Sequence, residues 1–421
     1  MSWWNAESTP PRFGVKVKVK VKVKVKMTTA MSTGREAVLA AFRKTANQDA
    51  EAATYAPGRV NLIGEHTDYN EGFVLPAAVD RGVALAARRV PGDTFTLHAI
   101  DLGESCSFSQ APLQRDPKHP WADYFKGVVW ALTNRGIKIP ACEAAITGDI
   151  PRGAGLSSSA AYEVATALLL RTLDGFALSS LEIAKLAREA ENGFVGVACG
   201  IMDQMASTFG EKGKALLLDC RSLARETVEL PPGLKIVVAG SGVRHSLASS
   251  EYNKRRAECE EGVRIIAATL PKVTFLRDVG PEELARFAPA LPPVVLKRCR
   301  HVVSENMRVL QAVTAMRAGD TARLKTLMAE SHFSLRDDYE VSCPELDILV
   351  ELALPLPYCH GARLTGAGFG GSTVNLVEAD AVGTFSETIA SGYQQRSGRA
   401  AEIYVFEPSA GAHVLADDHP A

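Results

Sequence analysis

The stretch Leu364–Thr373, LTGAGFGGST, carries glycines at 366, 368 and 371 in the G-x-G-x-x-G spacing. The residues directly after it constrain the fold more than the spacing does. In a doubly wound dinucleotide-binding unit this fingerprint follows a strand and opens a helix whose N-terminus holds the pyrophosphate. Here the chain runs on into the strand-like Thr373–Val377, TVNLV. The doubly wound reading therefore fails, and a glycine-rich loop between two elements, open to close approach by another loop or a ligand, takes its place.

Two further segments concentrate chemistry. Gly148–Ala161, GDIPRGAGLSSSAA, precedes the apolar helical pattern Tyr162–Leu173. Gly153 and Gly155 let backbone approach a ligand, the serines supply hydroxyls, and a helix starting there offers unpaired N–H groups and the positive end of its dipole. That suits a di- or triphosphate, although for these residues taken alone a flexible glycine-serine turn capping a buried helix is the more economical reading. A Walker A pattern with its lysine is absent from the whole sequence. The other segment is Ala56–Pro76, APGRVNLIGEHTDYNEGFVLP, which packs Arg59, Glu65, His66, Asp68, Tyr69, Asn70 and Glu71 together. A helix would spread these side chains around its circumference; the turn formers point instead to a strand and loop aimed into one pocket. Converging acceptors discriminate the hydroxyls of a neutral polyol, because each buried acceptor without its donor is costly. A solvated polar loop, or a metal site built on His66 and the acids, stays open. Asp203, in CGIMDQ among apolar neighbours, must be paired or functional if it is buried.

Short strand patterns alternate with helical ones from Thr33 onward. Strands are predicted at Val83–Arg88, Phe95–Ala99, Cys142–Gly148, Ala215–Asp219, Leu234–Ala239, Thr373–Val377 and Ile403–Phe406. Helices are predicted at Ala122–Asn134, Ser159–Leu173, Ser180–Asn192, Tyr252–Thr269, Ser304–Ala318, Thr321–Met328, Pro344–Leu354 and Ala381–Tyr393. The early chain is richer in strands and the middle in helices, which suggests an α+β architecture. Its 421 residues suit two domains, expected at 33–220 and 221–421.

Residues 1–32 stand apart. Val15–Lys26 is six consecutive Val-Lys pairs, followed by Met27 and Met31, either of which would serve as a start. The segment reads as an appended, disordered low-complexity extension. It also masks the charge of the rest. The formal net charge is −1, but residues 1–26 hold seven basic side chains against Glu7, and removing them leaves 40 basic against 47 acidic residues, a net of −7. A body that acidic argues against a general binder of the nucleic-acid backbone. No run approaches the length needed to span a bilayer, the longest being pieces such as Val164–Leu170, and apolar residues that alternate with lysines form no secretory signal. The eight cysteines show no C-x-x-C spacing, and suggest reduced thiols of a cytoplasmic protein with neither a zinc site nor a disulfide framework.

In this order and at these spacings the segments resemble the galactokinases of the GHMP small-molecule kinase superfamily. GRVNLIGEHTDYNEGFVLP matches the galactokinase signature, PRGAGLSSSAA the superfamily's phosphate loop, and LTGAGFGGS its third glycine-rich motif. The likeness runs from about Arg35 to Phe406. It implies the two-domain GHMP fold with the active site in the cleft between domains, and ATP-dependent phosphorylation of the anomeric hydroxyl of α-D-galactose, the first kinase step of galactose metabolism. It implies Asp203 as catalytic base and Arg59 as the group that stabilises charge at the transferring phosphoryl. Glu65, His66, Asp68, Gly200 and Tyr252 fall on sugar-binding positions. Gly153, Ala154, Gly155, Leu156, Ser157, Ser158 and Ser159 fall on the nucleotide loop, Ser159 and Glu191 on the Mg²⁺ positions, and Trp121 near the adenine. Ala154 stands where many members have a third glycine. Galactose and ATP as small-molecule partners are implied by the same likeness, and a monomer is expected. A kinase for N-acetylgalactosamine or L-arabinose, and a non-catalytic sensor of galactose and ATP, are the alternatives.

Overall fold

The computed structural model describes residues 34–244 and 248–415; the Val-Lys extension lies outside them. In chain order the elements are α1 (Arg35–Ala46), β1 (Ala52–Asn61), β2 (Phe73–Val74), β3 (Pro76–Arg89), β4 (Thr94–Ala99), β5 (Glu104–Ser109), α2 (Ala122–Asn134), β6 (Cys142–Gly148), α3 (Ser158–Asp174), α4 (Ser180–Ala190), α5 (Met202–Phe209), β7 (Lys214–Asp219) and β8 (Arg225–Glu229). Next come β9 (Leu234–Arg244), α6 (Ala248–Ala267), α7 (Pro281–Phe287), α8 (Pro293–Ala318), α9 (Thr321–Asp337), α10 (Pro344–Ala353), β10 (Cys359–Thr365), β11 (Gly370–Glu378), α11 (Val382–Ser397), β12 (Glu402–Phe406) and β13 (His413–Val414).

Three sheets form, with strand orders β13-β1-β3-β6-β4-β5, β10-β11-β9-β12 and β2-β7-β8. All pairings are antiparallel except β4 with β6. This is the α+β mixture expected. Helix α3 is apolar nearly all round, as a helix must be when it is covered on every side; Ala160 to Leu170 are buried without interruption, and the helix packs on β1 and β3. It stops at Gly175, left-handed at φ +77°, where a side chain would be strained. Helix α4 starts where Ser179 and Glu182 cap one another: Glu182 N–H donates to Ser179 Oγ at 3.3 Å, and Ser179 N–H to Glu182 Oε2 at 2.7 Å. The main core runs from the first sheet through α2 and α3 into α8 and α9, so no apolar gap separates the two halves of the chain.

The predicted strands fall within β3, β4, β6, β7, β9, β11 and β12, and α2 has the predicted bounds. Several helices differ: α6 starts at Ala248, not Tyr252, and α11 runs on to Ser397, not Tyr393. Helix α8 starts at Pro293, not Ser304, because its first turns bury Arg298 and His301 and so interrupt the apolar rhythm. Helix α9 continues to Asp337, carrying buried Ser331, His332 and Ser334 on its inner face. Helix α4 ends at Ala190 and passes into a π-helical turn, Glu191–Val195, a feature common where a helix serves a site. Position 220, the expected domain boundary, lies in the turn between β7 and β8, which pair with each other.

Candidate active site

Strand β1 bulges between Pro57 and Arg59, and the bulge brings Arg59 against the loop that precedes α3. The Arg59 guanidinium grips Asp203, in the first turn of α5, with both ends of its fork: Nε to Oδ1 at 2.8 Å and Nη2 to Oδ2 at 2.9 Å. Its remaining Nη1 donates to the Gly155 carbonyl at 2.6 Å, and Ser157 Oγ donates to Asp203 Oδ2 at 2.5 Å. One fork thus ties the strand, the Gly-Ser loop and α5 together. Burial alone would lower the Arg59 pKa, but Asp203 and Glu65 outweigh it and raise it, so the guanidinium stays charged. The left-handed backbone of Gly153 (φ +77°) and Gly155 (φ +72°) makes the loop's turn, and Ser157 itself is left-handed at φ +53°. Ala154 and Leu156 turn their side chains into the core, which leaves only their backbone to serve a ligand.

A cavity of about 260 Å³ opens beside this pair. Arg59, Glu65, His66, Asp68, Glu191, Cys199, Asp203, Tyr252, Gly366 and Ala367 line it. Gly200 stands directly behind Asp68: a Cβ there would sit 1.9 Å from Asp68 Oδ2. Burial, and then the nearby Asp203, push the Asp68 carboxyl up to about 7. Tyr252 is pushed well above its ordinary value, first by burial and then by Asp68, so its hydroxyl remains a donor. Glu65 is buried, and its Oε1 accepts from the Gly366 N–H at 2.7 Å and Thr365 Oγ1 at 3.1 Å, with Arg363 at 3.5 Å. Burial and His301 push His66 down to about 3, so its imidazole is neutral.

Glu191 forms the far wall. Gln204 Nε2 donates to its Oε2 at 2.7 Å, and Ser159 hydrogen-bonds it. A serine hydroxyl and a carboxylate are hard oxygen donors of the kind Mg²⁺ takes, so this pair fits that ion. A second cavity, about 290 Å³, adjoins through α3. Trp121, Tyr124, Arg152, Ser158, Ser159 and Tyr162 are among its lining residues, so Ser159 stands with Glu191 on one side and with Trp121 on the other.

The structure therefore brings Arg59, Glu65, His66, Asp68, Glu191, Asp203 and Tyr252 to the first cavity and Trp121, Ser158 and Ser159 to the second; Gly153–Ser157 and Gly200 are not among the lining residues of either, Gly155 and Ser157 meeting the first only through Arg59 and Asp203. The sequence pointed to the third glycine-rich segment as a place of close approach; it did not reveal that Gly366 and Ala367 wall the first cavity, or that Gln204 holds Glu191. Tyr339, whose hydroxyl meets that of Tyr69 behind His66, was also missed, since a lone tyrosine just beyond a helix gives no pattern to read; Tyr69 itself stood in the polar segment already singled out. Outside both cavities, Cys106, Asp116 and His119 bring donor atoms within 4.8 Å of one another, a cluster that the cysteine spacing did not suggest.

Known proteins share the chain's motifs and its fold. Residues 40–89 match the family model for the galactokinase galactose-binding signature, residues 123–211 that for the GHMP kinase N-terminal domain, and residues 312–393 that for the GHMP kinase C-terminal region. The chain is 47% identical over 374 residues to a galactokinase of Chloroflexus aggregans, covering 89% of this chain and 96% of that protein. It is 48% identical over 363 residues to one of Roseiflexus, covering 86% and 93%. Among solved structures it resembles Lactococcus lactis galactokinase complexed with galactose, with a TM-score of 0.85 and 35% identity over 89% of this chain and 98% of that one. Mevalonate kinase of Methanococcus jannaschii shares the fold at 19% identity, with a TM-score of 0.59 over 85% of this chain and 98% of that one.

Proposed function

The chain belongs to the galactokinase family of the GHMP kinases, and on that premise we propose how its own residues phosphorylate galactose. The enzyme transfers the γ-phosphoryl of ATP to the anomeric C1 hydroxyl of α-D-galactose, giving galactose 1-phosphate and ADP. The observation that carries the assignment of roles is the Arg59–Asp203 pair, placed where the polyol-type cavity meets the Gly-Ser loop.

The sugar occupies the first cavity. Asp68, Glu65 and His66 read its hydroxyls, Tyr252 donates, and Gly200 makes room for Asp68. ATP lies across the loop Gly153–Ser159, with its base in the second cavity beside Trp121. Ser159 and Glu191 would hold Mg²⁺, which when bound would neutralise phosphate charge. Asp203 accepts the C1 hydroxyl proton. A carboxylate has about four lone-pair sites; Arg59 and Ser157 take three here, which leaves capacity on Oδ1 for the sugar. Phosphoryl transfer passes through a loose transition state, so alignment and charge compensation supply most of the rate and the proton can leave late. Arg59, already held by Asp203 and the Gly155 carbonyl, supplies fixed positive charge at that point.

All of these groups come from one chain, which supports a monomer as the working unit. All eight cysteines are free thiols, which supports a reducing, cytoplasmic setting. No described helix is long and apolar enough to cross a membrane. The test is turnover by purified protein with Mg-ATP and, in turn, galactose, N-acetylgalactosamine, L-arabinose and glucose. Preference for galactose is expected. Binding of ATP and galactose without sugar phosphate would leave a sensor in place of an enzyme, and preference for another sugar would reassign the substrate.

A further inference from the structure

The two loops that wall the sugar cavity are about 300 residues apart in sequence, and a short connector behind them touches both. Residues 338–343 join α9 to α10 without entering the cavity's lining. Val341 O accepts the Phe369 N–H at 2.7 Å, and a Cβ on Gly368 would fall 2.3 Å from that same oxygen, so the connector props the third glycine-rich loop from behind. From α6, which carries Tyr252, Arg255 donates to the carbonyls of Tyr339 at 2.7 Å and Glu340 at 2.9 Å. From α8, Arg298 donates to the Asp338 carbonyl at 2.5 Å. The side chain of Tyr339, fully buried, turns toward the first loop.

There it enters a chain of hydrogen bonds: Tyr339 OH to Tyr69 OH at 2.7 Å, Tyr69 OH to His66 Nδ1 at 2.8 Å, and His66 Nε2 to the Ala367 carbonyl at 3.1 Å. A carbonyl only accepts, so Nε2 carries the hydrogen; in a neutral imidazole Nδ1 then accepts, Tyr69 donates to it, and Tyr339 donates to Tyr69. The last partner is the Cys259 thiol on α6, 3.2 Å from the Tyr339 hydroxyl. His66, Glu340 and Phe369 all hold left-handed backbone, at φ +63°, +56° and +57°. Non-glycine residues keep that conformation only where their surroundings over-determine it.

We propose that Tyr339, acting through Tyr69, is a positioning residue for the sugar cavity: it fixes His66 as the Nε2–H tautomer and thereby holds the first loop and the third glycine-rich loop in register. The proposal rests on the sugar's lying in the first cavity. His66 stays neutral because burial and the neighbouring His301 depress it to about 3, so the chain keeps one direction at working pH.

The experiment pairs kinetics of Tyr339→Phe and Tyr69→Phe with nitrogen-15 NMR of histidine-labelled protein, the His66 signals being identified by their loss in His66→Asn. Wild type is expected to show His66 with Nε2 protonated and Nδ1 accepting. Both Phe variants should shift the Nδ1 resonance and raise KM for galactose by about three- to tenfold, the worth of one hydrogen bond, with kcat and KM for ATP little changed. A His66 found as the Nδ1–H tautomer, or a galactose KM unmoved in both variants, overturns the proposal. Should Tyr339→Phe not fold, Tyr69→Phe and the wild-type tautomer still decide it. Absence of turnover in the wild type would strike at the assigned function instead, and leaves the tautomer measurement intact.

Discussion

Asp203 and Asp68 share one cavity and meet opposite environments. Asp203 is gripped by Arg59 and Ser157, whereas Asp68 is surrounded by acids and apolar walls, and its carboxyl is pushed up to about 7. Asp203→Asn keeps the shape but loses both the charge and the proton acceptor, so kcat is expected to fall at least ~10²-fold with a modest change in galactose KM; near-normal turnover in a steady-state assay would remove Asp203 from its role. For Asp68 the ionised form is the one that accepts from sugar hydroxyls. kcat/KM for galactose is therefore expected to rise with pH through about 7 and level off above it, and that inflection should vanish in Asp68→Asn. Stability moves the other way. Between the ordinary carboxyl value of 3.8 and about 7 the folded chain keeps a proton that the unfolded chain has lost, so Asp68 disfavours folding increasingly as pH climbs through that window. Melting temperatures should thus show Asp68→Asn gaining on wild type from pH 4 to pH 8. The sequence exposed these two acids as candidates, since each stands in a short run of distinctive neighbours. It could not show which would be paired, because Arg59 and Asp203 are 144 positions apart and meet only through the bulge in β1.

The elements that were legible are those whose buried face is apolar and regularly spaced. Helix α2 buries Phe125, Val128, Val129 and Leu132, and its bounds could be read directly. The first turns of helix α8 could not be, since Arg298 and His301 sit on its inner face and are satisfied by partners that no local pattern announces. The fit between β1 and the phosphate loop is of the same hidden kind. Gly58 lies where a Cβ would come 2.6 Å from the Leu156 carbonyl and 3.0 Å from Ile150, and the next residue, Arg59, donates its N–H to that carbonyl at 3.1 Å. Gly58→Ala must push strand and loop apart. It is expected to cost about 1–3 kcal/mol in denaturant unfolding and to lower kcat, because Arg59 and Ser157 move with the two elements. Gly383, in the first turn of α11, meets nothing within 4 Å and has no left-handed φ. Gly383→Ala should stabilise by about 0.4–1 kcal/mol and leave kinetics alone. The pair separates glycines needed for contact from glycines that are merely tolerated.

At the scale of the whole molecule the chain's two ends are expected to behave differently. Residues 1–26 hold the basic excess that masks a body of net charge −7, and every group placed in the two cavities lies beyond them. The C-terminal end is built into the first sheet. Val414 and His413 pair with Thr54 and Tyr55 of β1, and Leu415 N–H donates to the Ala53 carbonyl at 2.8 Å. On the way the tail binds α5, the helix of Asp203: Ala412 N–H donates to the Ser207 carbonyl at 2.9 Å and Gly411 N–H to Gly210 at 2.8 Å. A Cβ on Gly411 would fall 2.3 Å from the Thr208 carbonyl, so backbone lies directly on backbone there. Removing the tail would uncover the edge of the strand that carries Arg59 and free the far end of the helix that carries its partner. Deletion of residues 1–26 is therefore expected to leave kcat, both KM values and the melting temperature at their full-length levels. Deletion of residues 409–421 is expected to lower the melting temperature and turnover together, and restoring 409–415 alone should recover both. A tail deletion that melts and turns over like the full chain would mean that α5 is held by its packing against α3 and α4 without the tail, and that the Arg59–Asp203 pair keeps its geometry through those helices.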